Sequence, residues 1–509
     1  MMDAGDFLNN LALGLLALLN VKAIALMVFG TAIGIAVGAI PGLSGTMAVA
    51  VLVPVTFVLE PVAGLAMLAG IYNGAIYGGA ITAILMRIPG TPAAVVTIFD
   101  GYEMTRQGKS AVALEAAISS STVGGIISVL VLLLVAPPLV KIALMFGPAE
   151  YFWVAMFGLS IVASLSSNSM IKGLIAGAGG VFISVIGLDP QTAFARFTFD
   201  VPELLSGFDV ITVMIGLFAL PQAFTLLGAA SGGDKEIVKQ STKRAPMFGQ
   251  FRKFWKTYIR SAIVGTIVGI IPAAGGNIAS FVSYDLAKRR SKNPETFGTG
   301  EVEGVIASEG ANNGITGGSF VPLLTLGIPG STTTAAIMGA FMVHGLDLGP
   351  QLFTDNPEVV YALIWALFLT NIVMFLMGYF GATAFIRILR VPDSLMAAGI
   401  IVFCVIGAFV MRSNIFDIYM LFAFGVLGYI MEKMAFPLAP LVLGVVLGPL
   451  IETNLLRALT ISHGNFFALF NSVISWIFVV LTLLSFFGAL KRSAISNIWQ
   501  DRFRKRNEA

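Results

Sequence analysis

Arg87, Thr91 and Thr97 lie in RIPGTPAAVVTIFDGYEMTRQG, residues 87–108, where Pro89-Gly90 interrupts an apolar stretch. A helix broken at such a pair leaves backbone N–H and C=O groups without helical partners. Free N–H groups at a helix start favour anions, and free carbonyls coordinate cations. Further breaks of this kind stand at Pro41, Pro272 and Pro329. Ser44, Thr46, Ser280, Asn277 and the run Ser331, Thr332, Thr333, Thr334 flank them, with Asn312 and Thr316 upstream. Neutral donors at helix ends suit a carboxylate, and carbonyl and hydroxyl oxygens suit a hard cation such as sodium. The residues expected to hold an anion are Asn73, Tyr77, Arg87, Thr91, Asn313, Ser331, Thr332 and Thr333. Those expected to hold a cation are Gly42, Ser44, Gly45, Gly275, Gly276 and Asn277. Small residues also let membrane helices pack closely; the twofold recurrence of the arrangement is what favours binding.

Covalent chemistry finds no support. The single cysteine, Cys404, permits no intrachain disulfide and no cysteine metal cluster. His344 and His463 lack the spacing of metal ligands, so no metal and no cofactor beyond a coupling ion, sodium or a proton, is expected. No nucleophile–base constellation and no phosphate-binding P-loop occurs, which argues against an enzyme and against ATP-driven chemistry in this chain. No nucleic-acid-binding pattern is present. Arg87 inside an apolar run is a functional candidate by default, able to hold a carboxylate in a fork of hydrogen bonds, snorkel, or pair with Asp100. Asp100, Asp285 and Glu309 are further candidates for ion or proton coupling; Asp100 and Asp285 are expected near the solvated, cytoplasmic ends of their segments, whereas Glu309 in ASEGANNG stands in a largely uncharged stretch and is the more interesting.

These residues must be positioned by membrane helices. The 509 residues are 57% hydrophobic and 11% charged, with a mean hydropathy of +0.91. Residues 23–59 and 466–490 carry no charge, and residues 111–140 carry only Glu115. Such runs exceed the roughly 20 apolar residues a spanning helix needs, and the lack of strand-like alternation excludes a barrel. Span counting predicts roughly ten to twelve helices in the lipid bilayer. The N-terminus has no signal-peptide pattern.

The breaks recur in order. GIAVGAIPGLSG (34–45) and GTIVGIIPAAGG (265–276) share six of twelve positions without a gap. IYGG (76–79) then matches ITGG (315–318), and RIPGT (87–91) matches GIPGS (327–331). Pro41-Gly42 in the first copy is Pro272-Ala273 in the second. Loop charge predicts opposite orientations. In the first copy, basic residues follow the second break, at Arg106 and Lys109; in the second they follow the first break, at Lys288, Arg289, Arg290 and Lys292. Lys22 runs against this pattern. The fold expected is an all-α polytopic membrane protein with two inverted-topology repeats, re-entrant hairpins and broken helices, a secondary-transporter architecture; a parallel duplication is the alternative. Residues 261–287, between basic flanks, are too few for two crossings and predict a hairpin tipped near IPAAGG. The domain expectation is 1–230 for the first repeat and following helices, 231–260 a basic cytoplasmic linker, 261–490 the second repeat and following helices, and 491–509 a cytoplasmic tail.

YGGAITAILMRIPGTPAAVVTIFDGYEMTRQGKSAVAL (77–114) and FGTGEVEGVIASEGANNGITGGSFVPLLTLGIPGSTTTAAIMGAFMVHGLDLGP (297–350) resemble the TctA family, the large membrane subunit of bacterial tripartite tricarboxylate transporters. The resemblance runs from about Gly30 to the last apolar run. It implies an inner-membrane, multi-pass protein with two partners: a small TctB-like membrane subunit and a periplasmic TctC-like substrate-binding protein. It implies symport of a di- or tricarboxylate, citrate among them, driven by sodium or protons. A stand-alone carboxylate carrier without a binding protein is the alternative.

Overall fold

The computed structural model describes residues 4–165, 170–228, 247–272, 275–388 and 392–486. Residues 231–246 of the expected linker, Ala273 and the tail 491–509 lie outside the described residues. In chain order the helices begin with α1 (Ala4–Leu18), α2 (Val21–Gly38), α3 (Gly45–Thr56), α4 (Pro61–Met86), α5 (Val95–Arg106) and α6 (Ser110–Ala143). Next come α7 (Pro148–Leu165), α8 (Met170–Ser184), α9 (Val210–Phe218) and α10 (Leu220–Gly228). The second half holds α11 (Met247–Ile270), α12 (Gly275–Arg290), α13 (Val302–Leu326), α14 (Thr332–Val343) and α15 (Leu352–Asp355). It closes with α16 (Pro357–Ile388), α17 (Asp393–Arg412), α18 (Ile415–Lys433) and α19 (Leu438–Ile461).

Among the described residues, eight helices are long and apolar enough to cross a membrane. The chain is an all-α polytopic membrane protein. Shorter apolar helices lie beside these spans; α3 and α14, next to the breaks, have 12 residues each. The chain forms two compact units. One comprises residues 1–141 and 218–414, the other 142–217 and 415–509.

In the first unit, α4 and α13 are buried along nearly their whole length, from Ala63 to Leu85 and from Gly304 to Thr325. A helix apolar or small all round belongs in an interior. Glycines at four-residue spacing make this possible. Gly30, Gly34 and Gly38 on α2 face Gly70, Gly74 and Gly78 on α4. A Cβ at Gly34 would lie 2.4 Å from the Ile71 carbonyl oxygen, and one at Gly74 would lie 2.5 Å from that of Thr31. The seam of α11 with α13 has the same contacts. Gly265 meets the Ala311 carbonyl at 2.3 Å, and Gly314 meets that of Ala262 at 2.9 Å, measured the same way. Residues 247–260, at the end of the expected linker, belong to α11.

In the second unit, α8 and α19 meet at another close seam, where a Cβ at Gly180 would stand 2.0 Å from the Leu441 carbonyl oxygen. A short antiparallel hairpin, β1 (Gly187–Leu188) with β2 (Ala195–Arg196), sits beside it in sequence. Arg196 pairs with Glu452 at 2.5 Å and Asp189 at 3.2 Å. Backbone N–H groups of Thr192 and Gln191, with Arg196 adding its charge, hold the Asp189 carboxyl below the usual range.

Candidate functional site

Two helix ends make the breaks. Helix α4 stops at Arg87 in the left-handed conformation, φ 60 and ψ 21. Helix α13 stops at Gly327 with φ 71 and ψ 18. Each chain then turns back on its own helix: the Gly90 N–H donates to the Gly79 carbonyl at 3.3 Å, and the Gly330 N–H to the Ser319 carbonyl at 3.3 Å. The structural counterpart of Gly79 is therefore Ser319, not Gly318. The ungapped match of IYGG to ITGG is one residue out of register. Arg87 occupies a conformation that glycine takes without strain. Arg87→Gly is expected to raise stability by about 0.5–1 kcal/mol, read as a higher thermal midpoint. A lower midpoint would mean that the arginine side chain makes contacts stronger than the strain it relieves.

The turn between α2 and α3 meets the break that follows α13. Helix α3 begins after Gly42, whose φ is 89, with Ser44 capping it by accepting from the Met47 N–H at 3.1 Å. At the second residue of α3, the Thr46 hydroxyl lies 2.9 Å from both the Thr332 and Thr333 hydroxyls at the start of α14. Ser331 caps α14 in a reciprocal box with Thr334. Tyr72 of α4 hydrogen-bonds both Ser319 and Ser331 at 3.1 Å. Of the other first-tip residues, Gly42 is exposed at the turn, and Gly45 packs on Ala75.

The start of α12 meets the break that follows α4. Gly276 at the start of α12 is buried against Ala93 and the Asn312 amide oxygen, while Gly275 has φ 68 and Asn277 is exposed. From α5, Thr97 donates to Glu309 and lies 3.0 Å from Ser308. Ser280 of α12 donates to the Ser308 carbonyl at 3.1 Å. Sequence singled out Glu309 as a candidate for ion or proton coupling; only the fold shows what surrounds it.

A third set lies along α16. The Asn73 amide donates to Thr370 at 2.6 Å, and that of Asn313 to the Met374 sulfur at 3.6 Å. The Tyr77 ring packs on Gly378. Positions 370, 374 and 378 recur every turn, so one stripe of α16 receives polar side chains from both α4 and α13. Asn73, Tyr77, Asn313 and Asn371 are fully buried. Their amide oxygens and the Tyr77 hydroxyl lack a hydrogen-bond partner, as does the Thr91 hydroxyl. Buried polar groups left unpaired are costly, so this set is a candidate place for a polar ligand or ordered water. Thr370 and Asn371 escaped the sequence reading, although a Thr-Asn pair inside ALFLTNIVMF was a readable signal.

Arg87 stands apart from these sets. It is exposed, with its guanidinium 5.8 Å from the Tyr102 ring. It lines a cavity of about 400 Å³ with Phe99, Tyr102, Tyr284, Lys288 and Phe297. The expectation for Asp100 is overturned: it is 1% exposed, not solvated. Its Oδ1 accepts backbone N–H bonds from Gly298, Gly300 and Glu301 at 2.8–2.9 Å, and its Oδ2 accepts from the Tyr284 hydroxyl at 2.7 Å. The loop that donates is far away in sequence, which is why the aspartate reads as a helix-end charge. Asp285 is exposed as expected and pairs with Arg289 at 2.7 Å.

Polar, interrupted helices buried among apolar spans are an arrangement that membrane transport proteins use. Residues 24–443 match the Tripartite tricarboxylate transporter TctA family, and the chain belongs to that family, a component of tripartite tricarboxylate transporters. It is 38% identical over 461 residues to the uncharacterized 52.8 kDa protein of the TAR-I ttuC' 3' region of Agrobacterium vitis, covering 90% of this chain and 91% of the relative. It is 38% identical over 201 residues to the uncharacterized protein of the TAR-II ttuC' 3' region of the same organism, covering 40% and 83%. No solved structure matches it.

Proposed function

We propose that the chain is the large subunit of a binding-protein-dependent secondary transporter that takes up a di- or tricarboxylate across the inner membrane, driven by a sodium or proton gradient. The observation that carries this reading is the crossed pairing of tips and breaks, Thr46 with Thr332 and Thr333, and Gly276 with Ala93 and Asn312. Two inverted-topology repeats with re-entrant hairpins account for that pairing and for the recurrence of the glycine contacts. In this reading Asn73, Tyr77, Thr91, Asn313 and Ser331 to Thr333 bind substrate, with Arg87 and Lys288 drawing carboxylates towards the cavity they share. A small membrane subunit and a periplasmic binding protein complete the transporter. The basic tail, 491–509, faces the cytoplasm.

Uptake into proteoliposomes tests this reading, using the chain with its small subunit and the binding protein loaded with labelled di- or tricarboxylates. Accumulation that requires the binding protein and an imposed ion gradient is expected. Equal uptake without the binding protein would mean a stand-alone carrier. Arg87→Ala with normal uptake would remove Arg87 from the route.

A further inference from the structure

We infer that Glu309 is the centre of a binding site for a small monovalent cation, sodium in the test below, built from both halves of the first unit. The inference deepens the ion-driven reading above and rests on it for the purpose of the site, but not for its existence. Glu309 is fully buried. Both carboxylate oxygens receive donors. Thr97 of α5 bonds Oε1; Ser121 of α6 bonds Oε2 at 3.4 Å, and the Asn312 amide reaches Oε2 at 3.5 Å. That is the surrounding of an ionised carboxylate, which accepts and does not donate. Yet among the described residues no Lys, Arg or His lies within ion-pair distance of it; the nearest ion pair on α13 joins Arg260 to Glu303 instead. The groups facing it from neighbouring elements are neutral: Thr97 from α5, Ser121 from α6, Ser280 from α12 beside Ser308, and the Tyr77 phenol from α4.

An ionised carboxylate in an apolar interior calls for a compensating positive charge. The surroundings supply ligands for one. Asn312 is fully buried and its Oδ1 has no donor, although it lies beside Glu309 and against Gly276 at the second hairpin tip. The hydroxyls of Thr97, Ser121 and Ser308 turn as readily to offer lone pairs as protons. A hard cation takes such an oxygen set, and a single carboxylate balances one positive charge where calcium or magnesium would recruit more. No group of three or more His, Cys, Asp or Glu occurs among the described residues, so the ligand chemistry is not that of a transition metal. Gly276 has a reason to be glycine: a Cβ there would stand 2.8 Å from the Asn312 oxygen. The site joins the first break to the second tip, so a bound cation would tie together two segments that a transport cycle must move.

The test is thermal unfolding of the purified full chain in sodium, potassium or choline chloride at matched ionic strength, without substrate. Saturable stabilisation by sodium is expected for the wild type, because a ligand of the folded state raises its stability by mass action. Glu309→Gln should abolish the sodium shift, and Asn312→Ala should weaken the apparent sodium affinity by about tenfold or more. A wild type indifferent to sodium, or one whose midpoint responds only to pH, overturns the inference, as does an undiminished sodium shift in both variants. Should Glu309→Gln fail to fold, Asn312→Ala and Glu309→Asp decide, each expected to shift the sodium titration to higher concentration. Carboxylate uptake is read separately: a wild type that takes up carboxylate on an ion gradient yet shows no sodium shift would sink this site and leave the transport reading standing.

Discussion

Asp100→Ala is expected to destabilise the protein by about 3–5 kcal/mol, seen as a large drop in the thermal midpoint of the purified chain. The carboxylate accepts from Gly298, Gly300, Glu301 and Tyr284. Alanine would leave three backbone N–H groups and a phenol without their acceptor in a place that is nearly closed to water. A hydrogen bond to a charged group is worth about 1.5–3 kcal/mol, more than a neutral one. Tyr284→Phe separates the contributions. It removes one donor and leaves the backbone donors in place, so its cost should be about 1.5 kcal/mol. A carboxylate at this position also fixes where the loop after α12 meets α5, beneath the cavity that Arg87 and Lys288 line. Asp100→Ala should therefore lower uptake as well as stability. If Asp100→Ala unfolds no earlier than the wild type, the clasp is not a structural anchor.

Gly90→Ala is expected to cost about 3 kcal/mol, the upper end for overpacking, and to abolish uptake. A Cβ there would lie 2.1 Å from the Gly38 carbonyl oxygen and 2.8 Å from both the Gly79 Cα and the Thr82 hydroxyl. The first contact is with backbone of another helix, so no rotamer change relieves it. To make room, the break must swing away from α2 and α4, taking Thr91 and α5 with it. Gly330→Ala meets the corresponding atoms, Ser319 Cα at 2.6 Å and the Gly269 carbonyl oxygen at 2.8 Å, and should be milder. Gly42→Ala is the control. It has φ 89 and nothing within 4 Å of the added carbon, so it should cost only the conformational strain, about 1–2 kcal/mol. Thermal midpoints of the three variants in one detergent check the order. Equal losses at Gly90 and Gly42 would mean that close approach is not what the glycine at the break provides.

Much of this was legible before any coordinates. Charge-free runs longer than a bilayer is thick leave helices as the structure able to satisfy the backbone in lipid. The proline-glycine breaks at Pro89 and Pro329 appear as helix ends because proline and glycine act locally, through a missing N–H and an accessible left-handed conformation. The glycines at 34, 38, 265 and 269 were visible as repeated motifs, although the carbonyls they face were not. Long-range partnership was decided only by the tertiary structure. Thr46 meets Thr332, Thr97 meets Glu309, and Asp100 meets the 298–301 loop across separations in sequence of 286, 212 and about 200 residues. Helical periodicity says which face a side chain occupies and nothing about which helix lies opposite. Hence Asp100 read as a solvated end, and Thr370 and Asn371 were passed over. The sequence by itself determined the class of molecule, the family and the places where helices break. The packing of α4 and α13 at the centre decided which polar residues share an interior, because close glycine contacts select one neighbour for each break.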